Sequence, residues 1–299
     1  MTMKNPAYKI LTLLICFIIT GIAISGAQTG WEKSLDLSLN ATQSSYSDSW
    51  VGGEAGNVAW TINANGTFSK QLSPVFNLKN TVKLAFGQTH SQDELTKNWS
   101  KPTKSTDKID LEAVGLFTVK SLIQPYVAFR FESQFLDASV SGHKRYVNPM
   151  LLTESAGLAR QILKKDKDEI LTRLGFAFKQ NINKVLQPPD SSTTKAETAA
   201  DGGIESVTDI KKVLSDKLAY VGKLTAYKAL FFSDKEKFQG TEAEDYWKAI
   251  DVNWENSLTA SVSKYVQVVF YMQLLYDKQI STKGRLKQTL SLGLTYKMF

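Results

Sequence analysis

The stretch Thr289-Leu290-Ser291-Leu292-Gly293-Leu294-Thr295-Tyr296-Lys297-Met298, near the end of the chain, alternates between polar and apolar side chains. Successive side chains of a β-strand point to opposite faces, so this stretch predicts a strand with one apolar and one polar face. Two preceding segments, at 250–260 and 266–276, repeat the pattern. Segments of about 11 residues are long enough for a tilted strand to cross a bilayer. The end of the chain therefore predicts three consecutive strands with membrane-spanning length.

The same alternation recurs upstream, where the connections between strands are alternately short and long. This arrangement is typical of bacterial outer-membrane barrels, which have short periplasmic turns and longer outer loops. Both chain ends of such a barrel lie on the periplasmic side, so the number of strands is even. The earlier predicted strands lie at 33–41, 58–68, 76–86, 109–117, 127–135, 152–163, 170–182 and 218–232.

One further strand is needed to make the count even. The only candidate is Ile204 to Val213, although its pattern alone indicates a helix, and a tight turn would follow it at Leu214 to Lys217. The total becomes about twelve strands, with about ten or fourteen as alternatives. The predicted fold class is all-β, an antiparallel transmembrane up-and-down β-barrel.

The width of such a barrel decides which face meets lipid. About eight strands already give an interior that side chains just fill, so a barrel of about twelve is too wide for an apolar core. The alternative, a soluble barrel with its apolar face inward, would enclose a wide aqueous hole. We therefore expect the apolar faces to contact lipid and the polar faces to line the lumen.

The first residues have the pattern of a cleaved secretory signal peptide, predicted over residues 1–27. Lys4 and Lys9 form a basic region, residues 11–24 are apolar, and Ser25-Gly26-Ala27 is a small-residue cleavage site. The alternative is a transmembrane anchor, but the apolar run is short for a spanning helix. These features predict secretion across the inner membrane and location in the cell outer membrane, with residues 28–299 forming the barrel domain.

The composition excludes several functional classes. Cys16, the only cysteine, lies in the predicted signal peptide, so the mature chain has no disulfide framework and no thiol nucleophile. Removal of Lys4 and Lys9 lowers the formal charge from +7 to +5 (7 − 2), and acids and bases are interspersed. No basic stripe indicates a nucleic acid as partner. A Ser-, Thr-, Ala- and Gly-rich segment at 188–203 predicts a mobile outer loop.

Charged residues on the polar faces are expected to line the lumen, six acids and six bases. A selective pore usually has a ring of one sign. Near-equal numbers of both signs indicate either a lumen cross-linked by ion pairs, narrow or closed, or charges that are solvated in a water-filled channel. The predicted lumen-facing charges are Asp36, Lys79, Lys83, Asp110, Glu112, Arg130, Glu132, Arg173, Lys179, Lys223, Asp251 and Glu255.

No catalytic, cofactor-binding or metal-binding residues are predicted. The two histidines, His90 and His143, lie in separate predicted outer loops, which makes no recognisable zinc site. His143 follows Ser139 and Ser141, but residues this close along one loop rarely form a catalytic pair. We therefore expect neither a cofactor nor an enzymatic activity.

Four motifs follow one another with a distinctive order and spacing. They are Trp50-Val51-Gly52-Gly53-Glu54, Lys108-Ile109-Asp110-Leu111, Ile250-Asp251-Val252-Asn253-Trp254-Glu255, and Val262-Ser263-Lys264-Tyr265 with Gln273-Leu274-Leu275-Tyr276-Asp277. In this order they resemble an uncharacterised outer-membrane β-barrel family, domain of unknown function 3078, over most of the mature chain. The resemblance implies a secreted outer-membrane barrel and no known activity. Its members usually end with an aromatic residue in register with the lipid face, whereas here Met298 holds that register and Phe299 lies one step beyond.

The leading functional hypothesis is a non-enzymatic outer-membrane barrel that acts as a passive channel or a scaffold. The alternative is an interaction protein that docks a partner through outer loops at 44–57, 90–107 and 188–203. A surface hydrolase is a third hypothesis, because fold does not determine function. The expected partners are outer-membrane lipid, the outer-membrane assembly machinery and a protein at the outer loops.

Overall fold

Twelve long β-strands account for most of the protein in this computed structural model. The structure describes residues 30–46, 55–187 and 193–298, so the expectations for 1–27, for Trp50 to Glu54 and for Phe299 lie outside the described residues. Among the described residues, no helix is both long and apolar enough to cross a membrane. The strands are β1 (Glu32–Ser44), β2 (Asn57–Ser73), β3 (Phe76–Ser91), β4 (Thr103–Phe117), β5 (Gln124–Ser133), the two-residue strands β6 (Leu136–Asp137) and β7 (Arg145–Tyr146), β8 (Met150–Lys165), β9 (Asp168–Leu186), β10 (Thr194–Ser215), β11 (Leu218–Phe232), β12 (Ile250–Ser261), β13 (Val266–Tyr276) and β14 (Arg285–Lys297).

The long strands form one closed antiparallel barrel, because β14 pairs with β1. Each strand pairs with the next long strand in sequence, and the β6–β7 hairpin is inserted between β5 and β8. Closure removes the free edge along most of the wall, but residues 285–292 of β14 pair only with β13 and have no partner on β1. The β1–β14 pairing is the shortest in the barrel, with five opposed positions from Asp36↔Lys297 to Asn40↔Gly293. The predicted fold class and the strand number of twelve are confirmed.

Short and long connections lie at opposite ends of the barrel, in agreement with the alternation in the sequence. Consecutive antiparallel strands run in opposite directions, so every second connection lies at the same end. We call these ends the turn end and the loop end. The turn end has connections at 74–75, 118–123, 166–167, 216–217 and 262–265, and the loop end has connections at 45–56, 92–102, 134–149, 187–193, 233–249 and 277–284.

Strand β10 corrects the prediction of a mobile loop over 188–203. Residues 194–203 form the first half of β10, which continues through the predicted strand at 204–213; residues 188–192 lie outside the described residues. Close packing explains the loop-like composition. A Cβ added to Gly202 would lie 2.3 Å from the Phe231 ring, and one added to Gly203 would lie 2.0 Å from the backbone oxygen of Lys228. Glycine occurs here because neighbouring groups occupy the side-chain space.

Apolar side chains point outward along the strands. On β14, Leu290, Leu292 and Leu294 expose 68, 56 and 59% of their surface. Leu158 of β8 and Leu174 of β9 are similarly exposed. Because the positions between them face the interior, the outer wall of the barrel is apolar and the inner wall is polar. An exposed hydrophobic surface of this extent indicates contact with lipid and not with water.

The long loop at 134–149 is fastened to the barrel wall by backbone hydrogen bonds. Asp107 of β4 accepts a hydrogen bond from the backbone N–H of Phe135 at 2.6 Å and from that of Leu136 at 2.9 Å. The ring of Phe135 also packs edge-on against Phe86 of β3, with 6.3 Å between the centroids. The loop is thereby held against β3 and β4.

A second anchor ties the same loop to β9. The side chain of the fully buried Asn148 donates to Oδ2 of Asp137 at 2.7 Å and accepts a hydrogen bond from the backbone N–H of Lys184 at 2.7 Å. Burial acts to raise the pKa of Asp137, but hydrogen bonds from Ser139 and Asn148 and the charge of Arg145 together lower this pKa below its ordinary value. The anchor thus requires the ionised carboxylate.

The Asp137 anchor predicts a loop that loosens in acid. Because the folded-state pKa is depressed, the stabilisation is fully present above the unfolded pKa of about 3.8 and is lost as the pH falls through the folded pKa. We expect hydrogen-exchange protection factors in residues 137–148 to fall below about pH 4. Asp137→Asn should give low protection already at pH 6, and unchanged protection in this variant would contradict the anchor.

The outward position of Leu292, midway along β14, predicts a large effect of a charge at that site. Leu292→Arg should lower the free energy of unfolding in lipid vesicles by about 2–4 kcal/mol, because the guanidinium would lie against hydrocarbon. Ser291→Arg is the matched control, since Ser291 faces the interior, and it should cost much less. Urea titration of the two refolded variants measures the difference; equal losses would argue against the assignment of the faces.

Candidate functional site: the barrel interior

Strand β4 carries three charged side chains on its inward face, Lys108, Asp110 and Glu112. They alternate with Ile109 and Leu111, so all three point to the same side of the strand. Lys108 and Glu112 pair with side chains of β12, β9 and β11, none of which neighbours β4 in the barrel. Such pairs can form only across the interior, which identifies the inward face directly.

Glu255 of β12 is the acceptor for two lysines from the opposite wall. Lys108 Nζ donates to its Oε1 at 2.6 Å, and Lys83 Nζ of β3 donates to its Oε2 at 3.2 Å. Strands β4 and β12 are six positions apart in either direction around the barrel, so the Lys108–Glu255 pair spans the full width. A short pair over this distance requires both side chains to extend into the lumen.

Lys108 links this pair to further charges on β4 and β5. Its ammonium lies 3.5 Å from Asp110, which accepts two hydrogen bonds at 2.9 Å from Arg130. Arg130 also lies 3.0 Å from Glu132. The fork geometry of a guanidinium on a carboxylate is among the stronger ionic contacts in proteins. We call the connected set the Glu255 cluster: Lys83, Lys108, Asp110, Arg130, Glu132 and Glu255.

A second ionic group lies between β4, β9, β10 and β11. Glu112 accepts hydrogen bonds from Arg173 at 2.8 Å and from Lys223 at 2.6 Å, and Arg173 also donates to Asp209 at 3.1 Å. Arg173 is 1% exposed, so its charge depends on these acids for compensation. We call these four residues the Glu112 cluster.

The ionic groups of the interior are each electrically neutral. The Glu255 cluster contains three bases and three acids, and the Glu112 cluster contains two of each. A separate pair joins Lys79 of β3 to Glu169 of β9 at 2.8 Å. Buried charges are tolerated when they are paired and hydrogen-bonded. Pairing within neutral groups explains how so many charges occupy one lumen.

The half of the interior next to β9 is filled from end to end. Near the turn end, Tyr126, Ala159 and Leu171 form a buried apolar group beside the Glu112 cluster. Near the loop end, Ala177, Tyr227 and Ala229 form another, and Trp247 packs against it. Trp247 lies in a short 3-10 helix, Tyr246–Lys248, within the loop at 233–249. This loop therefore reaches inward over the filled half.

The opposite side of the interior is uncovered. On β14, five consecutive residues, 286–290, are all exposed. These residues pair with β13 alone and have no partner on β1, so their exposure includes the open edge of β14 as well as its inner and outer faces. Lys287 lies opposite Gln273, which lies opposite Glu255, so its register places Lys287 on the inward side.

The uncovered region continues across β1 to β2. Asn65 of β2 is exposed, and it lies opposite both Asp36 of β1 and Lys83 of β3, so it also faces inward. Strand β1 is six positions from β9 in either direction around the barrel, so this region faces the filled half. We call it the uncovered strip: the exposed Asn65, Lys287 and Thr289 together with the half-buried Asp36, Ser38 and Asn63, of which Asn63 donates a hydrogen bond to Ser38.

Of the twelve predicted lumen charges, nine belong to the ionic groups and three, Lys179, Asp251 and Asp36, lie outside them. Lys179 Nζ lies 3.3 Å from the centroid of the Tyr227 ring. Asp251 lies opposite Tyr227, and Asp36 lies opposite Asn65. Nine belong to the ionic groups: Lys79, Lys83, Asp110, Glu112, Arg130, Glu132, Arg173, Lys223 and Glu255.

Three partners in these ionic groups were not among the predicted charges. Lys108 has the same parity as Asp110, but the predicted strand began one residue after it. Glu169 lies in β9, one residue before the predicted strand at 170–182, and Asp209 lies in the strand whose pattern indicates a helix. Extending the alternation by a few residues beyond each predicted strand would have found the first two.

Neither histidine lies in the interior. His90 lines a shallow depression of about 290 Å³ with Val58, Trp60 and Trp99 on the outer wall near the loop end. His143 lies in the loop at 134–149, where its backbone N–H donates a hydrogen bond to the backbone carbonyl oxygen of Val140. Within the described ranges, no group of three or more His, Cys, Asp or Glu side chains is arranged to hold a metal ion.

The Glu112 cluster predicts a large stability effect. Glu112→Gln leaves Arg173 and Lys223 buried with one acid between them, so the free energy of unfolding should fall by about 3–5 kcal/mol. Glu154→Gln is the matched control, because Glu154 is exposed on β8 and outside the ionic groups, and it should change stability by less than about 1 kcal/mol. Denaturant titration of both variants measures this; similar small losses would contradict a structural role for the cluster.

Comparison with solved structures finds barrels of low sequence identity. The translocator domain of autotransporter NalP from Neisseria meningitidis matches with 10% identity and a TM-score of 0.38, covering 97% of this chain and 95% of that chain. An outer membrane channel from Pseudomonas putida F1 matches with 13% identity and a TM-score of 0.42, covering 92% and 97%. The NanC porin matches with 9% identity and a TM-score of 0.36, covering 88% and 98%.

No curated protein matches the chain. A family model described as a protein of unknown function (DUF3078) matches residues 41–138. This segment includes the motif Lys108 to Leu111, whose first residue bonds to Glu255 at the end of the motif Ile250 to Glu255. The resemblance predicted from the sequence is confirmed over residues 41–138, which match this family of unknown function, whereas the motifs at 250–255, 262–265 and 273–277 lie outside the matched segment.

Proposed function

We propose that the protein is a passive channel of the outer membrane whose path follows the uncovered strip. The apolar outer wall supports the membrane location, because exposed leucines along the strands would be unfavourable in water and favourable in lipid. The strand lengths support it as well, since β14 has 13 residues and a tilted spanning strand needs about 9–11. Membrane fractionation with heat-modifiable gel mobility tests this location; recovery in the soluble fraction would contradict it.

The exposure of residues 286–290 on β14 is the observation that supports a channel most directly. Its inward positions, Lys287 and Thr289, are exposed beside the part of β14 that has no β1 partner, whereas Arg173 on β9 is buried between two paired strands. The strip is lined by amides and hydroxyls, among them Asn63, Asn65 and Thr289, which bind water and small polar solutes weakly. Weak binding favours passage over retention.

The ionic clusters limit the width of this path. They hold charged side chains across the middle of the barrel and leave space only beside β14, β1 and β2. The expected conductance is therefore smaller than that of an open barrel of this strand number. Planar-bilayer recording with the purified full chain tests the proposal. Discrete small steps would support it, and silence at all voltages and salt concentrations would overturn it.

A tryptophan at Thr289 provides a sharper test of the path. Thr289 faces inward and Leu290 faces outward, so Thr289→Trp places an indole in the strip and Leu290→Trp places one in lipid. We expect Thr289→Trp to reduce the single-channel conductance by about half or more, since the path is narrow, and Leu290→Trp to leave it unchanged. Equal conductances in the two variants would exclude a path beside β14.

A closed scaffold that docks a partner through its loop end is the second candidate function. The Lys108–Glu255 pair across the barrel and the inward-reaching loop with Trp247 favour this candidate. The well-anchored loop at 134–149 offers a preformed surface for a protein partner. Bilayer silence together with a partner that co-purifies from gently solubilised membranes would favour the scaffold over the channel.

A further inference from the structure

The uncovered strip contains one base, Lys287, and one acid, Asp36, but unlike the charges of the clusters these two are not paired with each other. Lys287 is exposed on the inward side of β14, and among the described residues it has no ion-pair partner. The nearby Glu255 is already shared by Lys83 and Lys108. Because the Glu255 cluster is neutral, Lys287 adds one positive charge that no neighbouring acid offsets.

The one acid of the strip lies too far away to compensate. Asp36 is opposite Lys297, at the other end of β14 from Lys287. Ten residues of strand separate these positions, which corresponds to about 33 Å at roughly 3.3 Å per residue. The Debye length at physiological salt is only about 8 Å, so the two charges are screened from each other in a water-filled path.

A second base strengthens the positive field on the loop side of Lys287. Arg285 also faces inward on β14, two residues towards the loop end, and its Nε is buried without a hydrogen-bond partner. The inward positions of β13 next to it are uncharged: Gln267, Val269, Tyr271, Gln273 and Leu275. A solute that enters beside β14 therefore meets two cationic side chains before any acid of the strip.

We propose that the uncovered strip conducts small anions in preference to cations and that Lys287 sets this preference. The inference rests on the proposed channel function and goes beyond it by naming the class of permeant ion. An unpaired ammonium in a narrow path raises the local concentration of anions and lowers that of cations. The paired lysines of the Glu255 cluster contribute much less, because each shares a carboxylate.

The test is the reversal potential of the full-length barrel in a potassium chloride gradient. The wild-type channel should show an anion-to-cation permeability ratio above one. Lys287→Glu reverses the charge beside the path and should lower this ratio by roughly tenfold, and Lys287→Gln by roughly threefold. Lys228→Glu is the matched control, because Lys228 is exposed on the outward side of β11 and the ratio should not change.

A complementary variant covers the case in which Lys287→Glu fails to fold. Thr289→Lys adds a second ammonium to the strip and should raise the anion-to-cation ratio. Heat-modifiable mobility establishes that each variant is a folded barrel. Normal conductance with the same ratio in wild type, Lys287→Gln and Thr289→Lys would overturn the inference and leave the channel standing. A wild-type preference for cations would also overturn it, whereas folded barrels without conductance would overturn the channel itself.

Discussion

The pair between Lys108 and Glu255 joins opposite walls of the barrel, and the arrangement of the interior depends on it. A barrel of about twelve strands is too wide for wall residues to meet without long side chains. Lysine, arginine and glutamate have the required reach, but each charge must then find a partner in a lumen of limited polarity. The result is a set of neutral ionic groups that connect opposite walls of the barrel. The pair that spans the most strands joins Lys108, from the motif Lys108 to Leu111, to Glu255, from the motif Ile250 to Glu255.

The period of two was enough to predict eleven of the twelve long strands, because one face of a barrel strand meets lipid and the other faces the interior. The strand at 204–213 was predicted from the even strand count, but residues 194–203, which form the first half of β10, were mistaken for a loop. The reason was composition: Gly202 and Gly203 are small because Phe231 and the backbone of Lys228 occupy the adjacent space. The partner of each lumen charge could not be predicted, since the choice of Lys223 for Glu112 depends on distances across the barrel.

The uneven filling of the interior has a simple origin in the sequence. Strands β9 to β11 contribute alanine, glycine and tyrosine inward, which pack closely around Arg173 and Lys223, whereas the inward residues of β14, β1 and β2 are mostly short serine, threonine and asparagine side chains. Long charged side chains, such as Lys108 with Glu255 and Lys223 with Glu112, then cross the interior between these two regions. Strand number therefore does not set the width of the path in this barrel; the distribution of long and short inward residues around the wall does.

The short pairing between β1 and β14 has a consequence for how the barrel forms. Its five opposed positions join residues 36–40 to residues 293–297, the most distant segments that pair in the chain. Contacts of such sequence separation form late, because the entropy of closing a long loop must be overcome first. Until they form, β1 and β14 are free edges that can accept a strand from another chain. The seam between residues 36–40 and 293–297 is thus expected to be the last part of the wall to close.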